Sequence, residues 1–213
     1  SITSRGGVGS ALPSISIYIL LEIYSIMSLE LIIGGMYSGK STELLGRVRC
    51  MSAIGKHVLV VNSVLDDRYN DMDVCTTHYG DKTQAIKLRK LTNLTSRMLI
   101  NGADGIALPD VVAVDEAQFF PDLFEAVRTM VDTLHVSVMV AGLVGDFKRN
   151  HFGEIHRLLP LADDVHMCRA YCHGCCDGTK ASFTKRLHGG DSQVEVGSTN
   201  KYIAVCRQCY LKA

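Results

Sequence analysis

The sequence lacks a surplus of charge of either sign. Its 22 basic and 22 acidic residues give a formal net charge of zero. That argues against a dedicated nucleic-acid binder, which needs a basic face to displace counterions from phosphates. A small anionic ligand stays open, because one phosphate site needs only a few local donors. No apolar run reaches membrane-spanning length. The stretch 15–26 is apolar but interrupted by Glu22, too short for a bilayer, and no clear small-residue cleavage site follows it. There is no internal repeat. Nor do the eight cysteines form a secreted disulfide framework. Cys50, Cys75, Cys168 and Cys176 are scattered, and the other four form two C-x-x-C pairs. A chain of 213 residues that is 47 % hydrophobic has little need of such staples, and paired C-x-x-C reads as metal ligation in a reducing compartment.

What is present fits one α/β domain and a small appendage. Residues 1–27 are expected to be a leader or tag segment outside the fold, with Met27 as the natural start; 1–14 (SITSRGGVGSALPS) is poor in apolar residues. Strands are expected at 29–33 (LELII), 57–61 (HVLVV), 111–114 (VVAV) and 136–141 (VSVMVA), and helices at 41–54 and 121–134, with Pro121 near the first turn of the second. Strands alternating with helices predict a parallel sheet covered on both faces. The polar, aperiodic stretch 66–90 reads as a mobile loop. After Cys168 the composition shifts to Gly, Cys and polar residues, which divides the chain into a core at 28–168 and a metal lobe at 169–213. A glycosylation sequon at Asn93-Leu94-Thr95 carries no meaning in a reducing compartment.

Three constellations carry chemistry. Gly34, Gly35, Met36, Tyr37, Ser38, Gly39, Lys40, Ser41 and Thr42 contain the pattern G-x-x-x-x-G-K-[ST] between an expected strand and an expected helix. Glycines let successive backbone N–H groups curl around phosphate oxygens, the helix N-terminus adds its positive end, Lys40 supplies a cation, and the Ser41 hydroxyl can ligate Mg²⁺. Asp115 and Glu116 follow the third strand. There Asp115 suits Mg²⁺ and Glu116 suits a general base acting on an attacking hydroxyl. On these residues alone a kinase and an ATPase stand side by side. Cys172, Cys175, Cys206 and Cys209 supply two thiolate knuckles and so the S₄ set that a structural Zn²⁺ prefers. The alternatives are two redox disulfides, or His173 or Cys176 replacing one cysteine.

The motifs GGMYSGKSTELL (34–45), LDDRY (65–69), VDEAQFF (114–120), GLVGDFKRNHFGE (142–154), FTKRLHGG (183–190) and KYIAVCRQCY (201–210), in this order, resemble the type II thymidine kinases, the cytosolic and viral-type family. The resemblance covers about 29–213. It implies a RecA-like P-loop core with a zinc-held lasso, and a kinase that uses ATP and Mg²⁺ to phosphorylate thymidine at its 5′-hydroxyl for nucleotide salvage, with deoxyuridine a weaker substrate. Glu116 then matches the general base. Lys40 and Ser41 match phosphate and Mg²⁺ residues, with Asp66 and Arg68 near the reacting phosphate and Asp66 joining Ser41 and Asp115 around Mg²⁺. Met36, Phe119, Leu143, Phe147, Phe152, Thr184 and Tyr202 match the nucleoside pocket, closed by the lasso residues Val194, Glu195, Val196 and Gly197. The family also implies a cytoplasmic homotetramer inhibited by dTTP, with neither nucleic acid nor membrane as partner.

Three residues depart from the family pattern: Gly35 where proline is usual, Val144 where aspartate is usual, and Ser198 where glycine is usual. The competing class is a P-loop ATPase whose zinc lobe binds nucleic acid.

Overall fold

Valine-rich runs bounded by glycine or polar residues favour buried parallel strands, since branched side chains pack well on both faces of a pleated sheet. The computed structural model describes residues 27–65, 74–76, 82–105, 107–193 and 201–212. The chain runs through β1 (Leu29–Gly34), α1 (Lys40–Ala53), β2 (Val58–Ser63), β3 (Val74–Thr76), β4 (Lys82–Gln84), β5 (Ile86–Leu88), α2 (Thr92–Ala103), β6 (Val111–Val114), α3 (Leu123–Arg128) and β7 (Ser137–Gly142). It continues through α4 (Ile155–Leu158), β8 (Asp164–Cys168), β9 (Ala170–Tyr171), β10 (Lys180–Ala181), β11 (Phe183–Arg186), β12 (Tyr202–Val205) and α5 (Arg207–Leu211).

Six strands form one sheet in the order β5-β2-β6-β7-β1-β8, and every pairing in it is parallel. Side chains alternate between its faces. Ile32, Val60, Ala113, Met139 and Ala141 meet Leu44, Leu45 and Val48 of α1. On the opposite face Leu31, Ile33, Val61, Val112, Val114, Val138 and Val140 meet Met98 of α2 and Leu123, Ala126 and Val127 of α3. The expected α/β sheet with helices on both faces is therefore the observed one. No helix among the described residues is long and apolar enough to cross a membrane.

Two expectations need correction. The stretch 66–90 is not one loop: β3 and β4 pair antiparallel, and β5 joins the large sheet beside β2. The expected helix 121–134 begins at Leu123, is α-helical only to Arg128, and ends in a π-turn over Thr129–Thr133. The helix α2, the edge strand β8 and the short helices α4 and α5 had no counterpart among the sequence expectations.

After β8 the strands pair two by two, β9 with β10 and β11 with β12. The apolar centre here is small: Ala170, Cys172, Ala181, Ala204 and Val205, with Tyr37, Phe183, Ile203 and Tyr210 against it. Such a centre buries too little apolar surface to hold its own fold without a staple.

The strand ends set the site. β1 terminates at Gly34, where an added Cβ would lie 2.4 Å from the carbonyl oxygen of Cys168 at the end of β8. Gly34→Ala is therefore expected to cost about 2 kcal/mol or more, because the obstructing atom is backbone. Gly46, inside α1 with nothing near its missing Cβ, should gain about 1 kcal/mol as Gly46→Ala. Thermal denaturation of the two variants checks the contrast.

Candidate active site and metal centre

In an open parallel sheet, ligands gather at the carboxyl ends of the strands. Here those ends deliver the phosphate loop after β1, the acidic pair after β6 and Leu143 after β7.

The loop from Gly34 to Ser41 passes from β1 into α1. Gly39 lies in the left-handed region at φ 83° and caps the helix, a conformation glycine adopts without steric cost. Tyr37 also has positive φ, 61°, and its ring packs into the small C-terminal core. Lys40 is buried, and its Nζ donates to the Gly35 carbonyl at 2.8 Å, while Ser38 Oγ donates to the same oxygen at 2.9 Å. The lysine ammonium thus lies across the loop. Thr42 follows in the first turn of α1, half-buried.

The acidic pair is buried as well, Asp115 at 2 % exposure and Glu116 at 7 %. Ser41 Oγ donates to Asp115 Oδ1 at 3.1 Å, which sets two hard oxygen ligands side by side next to the phosphate loop, a donor set that suits Mg²⁺. Glu116 adopts φ 49°, ψ 41°, a left-handed conformation uncommon for a residue with a side chain. The Glu116 carboxylate accepts a short hydrogen bond from Gln118 Nε2.

Several expected pocket residues come together in pairs. Phe119 and Phe152 form an edge-to-face contact with centroids 5.6 Å apart. The Leu143 N–H donates to Gln118 Oε1 at 3.0 Å. The Met36 N–H donates to Thr184 Oγ1 at 3.0 Å, which ties the phosphate loop to β11. Phe147 and Tyr202 lie 6.4 Å apart, and the Arg186 guanidinium stands 3.7 Å over Phe147 and hydrogen-bonds the Tyr202 hydroxyl. Asp66, Arg68, Val194, Glu195, Val196, Gly197 and Ser198 lie outside the described residues.

The departures behave differently from one another. Val144 packs against the main core, and its carbonyl accepts the Phe152 N–H at 3.0 Å. A Cβ at Gly35 would stand 3.5 Å from Thr184 Oγ1, ordinary contact distance.

Sequence reasoning assigned no role to Gln118, Asp146 or Arg186. Asp146 is buried and accepts from the backbone N–H groups of Lys148 and Asn150 and from Gln193 Nε2. The signal for Gln118 lay in its place two residues after Glu116, but the left-handed turn that brings them together is not legible from spacing.

The ligand sulfurs of Cys172, Cys175, Cys206 and Cys209 lie within 4.8 Å of one another. Cys175 Sγ is 3.5 Å from Cys209 Sγ and 3.7 Å from Cys206 Sγ. Four thiolates about 2.3 Å from a tetrahedral centre stand about 3.8 Å apart, whereas bonded sulfurs lie about 2 Å apart. Ligation fits, and two disulfides do not. Cys176 turns away and donates to the His173 carbonyl. Backbone N–H groups favour thiolate character. That of Cys206 draws the Cys172 thiol down to about 6, and that of Cys209 bonds the Cys206 sulfur, which caps α5. Cys175 is pushed up to about 12 by its hydrogen bonds with the sulfurs of Cys209 and Cys206. A divalent ion relieves that crowding by neutralising the set. Gly174 leaves the room: a Cβ there would meet Cys209 Sγ at 2.9 Å.

The family model described as Thymidine kinase matches residues 27–210. A thymidine kinase of Oryza sativa subsp. japonica is 36 % identical over 209 residues, which covers 98 % of this chain and 72 % of that protein. A thymidine kinase of Fowlpox virus is 36 % identical over 186 residues, 86 % of this chain and 96 % of the viral protein. The cytosolic thymidine kinase of Homo sapiens is 39 % identical over 185 residues, 86 % of this chain and 73 % of the human protein.

Elemental analysis should find one thiophilic divalent ion per chain. Cys206→Ser is expected to lose most of it and to destabilise the protein by about 3 kcal/mol or more; full metal content in that variant would contradict the assigned ligand set.

Proposed function

The chain belongs to the thymidine kinase family, and on that premise we propose that it transfers the γ-phosphate of ATP to the 5′-hydroxyl of thymidine, giving ADP and dTMP for nucleotide salvage. The observation that carries the reading is the buried Asp115–Glu116 pair, one carboxylate bonded to Ser41 of the phosphate loop and the other to the Gln118 amide. A metal-facing acid and a substrate-facing base are what transfer to an alcohol requires.

The backbone N–H groups of 34–41 and the α1 N-terminus hold the ATP phosphates, and Lys40 moves from the Gly35 carbonyl to a phosphate oxygen. Ser41 and Asp115, with Asp66, would hold Mg²⁺, which would supply charge neutralisation at the phosphates. Glu116 accepts the proton of the 5′-hydroxyl as its oxygen forms the new P–O bond and the β–γ bridging bond breaks, and Arg68 offsets charge on the transferring group. Met36, Phe119, Leu143, Phe147, Phe152, Thr184 and Tyr202 surround the nucleoside, and the backbone of Val194, Glu195, Val196 and Gly197 reads the base edge. Apolar walls around the thymine 5-methyl group favour thymidine over deoxyuridine by about 1–3 kcal/mol.

The ion in the four-cysteine centre is Zn²⁺ in a structural role, since four protein ligands leave no open position for chemistry. Residues 28–168 form the kinase domain and 169–213 the nucleoside-clamping lobe. The enzyme works in the cytoplasm as a homotetramer, with dTTP as feedback inhibitor and neither nucleic acid nor membrane as partner.

Phosphate transfer from labelled ATP to thymidine tests the reading, and DNA-stimulated ATP hydrolysis without transfer would overturn it. Glu116→Gln is expected to lower turnover about a hundredfold or more, the loss typical of removing a catalytic base. In the parent enzyme, kcat/KM should fall about tenfold or more from thymidine to deoxyuridine, with deoxycytidine compared in the same assay.

A further inference from the structure

We propose that Gln118 is a positioning residue for the phosphoryl transfer: its side-chain amide locks the Glu116 carboxylate to the wall of the nucleoside pocket. This rests on the reading of Glu116 as the base.

Gln118 is 4 % exposed, so its amide has no free access to solvent and must find partners in the protein. Two are given. Its Oε1 accepts the Leu143 N–H at 3.0 Å, and its Nε2 donates to Glu116 Oε2. The orientation of the amide is set by chemistry. A backbone N–H only donates, so the oxygen must face Leu143; the opposite orientation would set donor against donor there and oxygen against carboxylate at Glu116. The amide is therefore a donor to the carboxylate and fixes one of its two oxygens. The backbone on either side leaves no slack. A Cβ at Gly142 would lie 2.7 Å from Gln118 Oε1, and one at Gly153, where φ is +59°, would lie 2.3 Å from the Gln118 carbonyl oxygen. Gly142 ends β7, so the large sheet itself supports the clamp.

The consequence is a shared reference. The nucleoside lies against Leu143, the attacking oxygen must meet Glu116, and one rigid amide spans the two. A carboxylate at the end of two rotatable bonds would otherwise sample several directions, and a displacement of about 1 Å at the reacting centre can cost about a hundredfold in rate.

The test compares the full chain with Gln118→Met, which keeps the bulk and loses both hydrogen bonds, with Gln118→Glu and with Glu116→Gln. Gln118→Met should lower kcat with thymidine about tenfold or more while leaving the KM for ATP within about twofold. Gln118→Glu can donate to Glu116 only while protonated, and two facing carboxylates share a proton more readily as pH falls. Its turnover relative to the parent should therefore rise about threefold or more from about pH 8 to about pH 6. A merely structural glutamine would give the opposite sign, a ratio that falls as pH falls, because the added carboxylate only makes the base easier to protonate. If Gln118→Met fails to fold, that pH dependence decides alone. Variants within about twofold of the parent at every pH would overturn the clamp while Glu116→Gln, crippled, kept Glu116 as the base. Normal turnover in Glu116→Gln would instead remove the base, and the clamp with it.

Discussion

A hydrogen bond ties the loop after β1 to the small lobe: the Met36 N–H donates to the Thr184 hydroxyl at 3.0 Å. Met36 sits in the loop between β1 and α1, and Thr184 sits on β11, a strand that pairs, among the described residues, only with β12. Both ends of that small hairpin depend on the four-cysteine centre, because β12 runs directly into Cys206 and the carbonyls of Cys209 and Lys212 accept from Lys185 on β11. Tyr37 adds an apolar contact by packing into the same small core. A buried hydroxyl–amide bond contributes about 1 kcal/mol net, and more is lost if either partner is left unpaired in the interior. Ligation of a metal ion by the four cysteines would thereby also steady the loop 34–41.

The second constraint is the direction of two adjacent carboxylates. Asp115 continues β6, its N–H still bonded to the Val61 carbonyl at 2.9 Å. Glu116 then leaves the strand through a left-handed turn. Such backbone costs of order 1 kcal/mol or more and persists where the surroundings over-determine it. The 3-10 turn Ala117–Phe119 and the buried Gln118 do that here. Across this turn the two carboxylates take different partners, Asp115 the Ser41 hydroxyl and Glu116 the Gln118 amide.

Much of the architecture was legible because it is local. Valine and isoleucine runs announced β1, β2, β6 and β7, and the phosphate loop is a contiguous pattern whose geometry follows from its glycines. What was not legible depends on distant partners. Four of the five residues of β8 are exposed, so no apolar period marks it, and it is a strand because β1 offers an edge. The helix α2 carries Thr, Asn, Ser and Gly in TNLTSRMLINGA, residues that favour caps and turns over helix interiors, and tertiary packing through Met98 overrides that preference. At the site, single residues such as Glu116 and Lys40 could be named from motifs. The contacts of Gln118 and Asp146 could not, because each is created by a turn closing on a residue far along the chain.

The strand order carries a further cost in time. β1 lies between β7 and β8, with Leu29 opposite Val138 and Glu30 opposite Asp164. The first strand of the sheet therefore has no neighbour until more than half of the polypeptide has left the ribosome. Until then its segment LELII, apolar but for Glu30, and its unpaired backbone are open to other chains, the circumstance in which parallel, non-local sheets are slow to fold and exposed to aggregation. Synthesis of this protein thus has a vulnerable interval that closes when β7 emerges and docks, and chaperone demand should concentrate there.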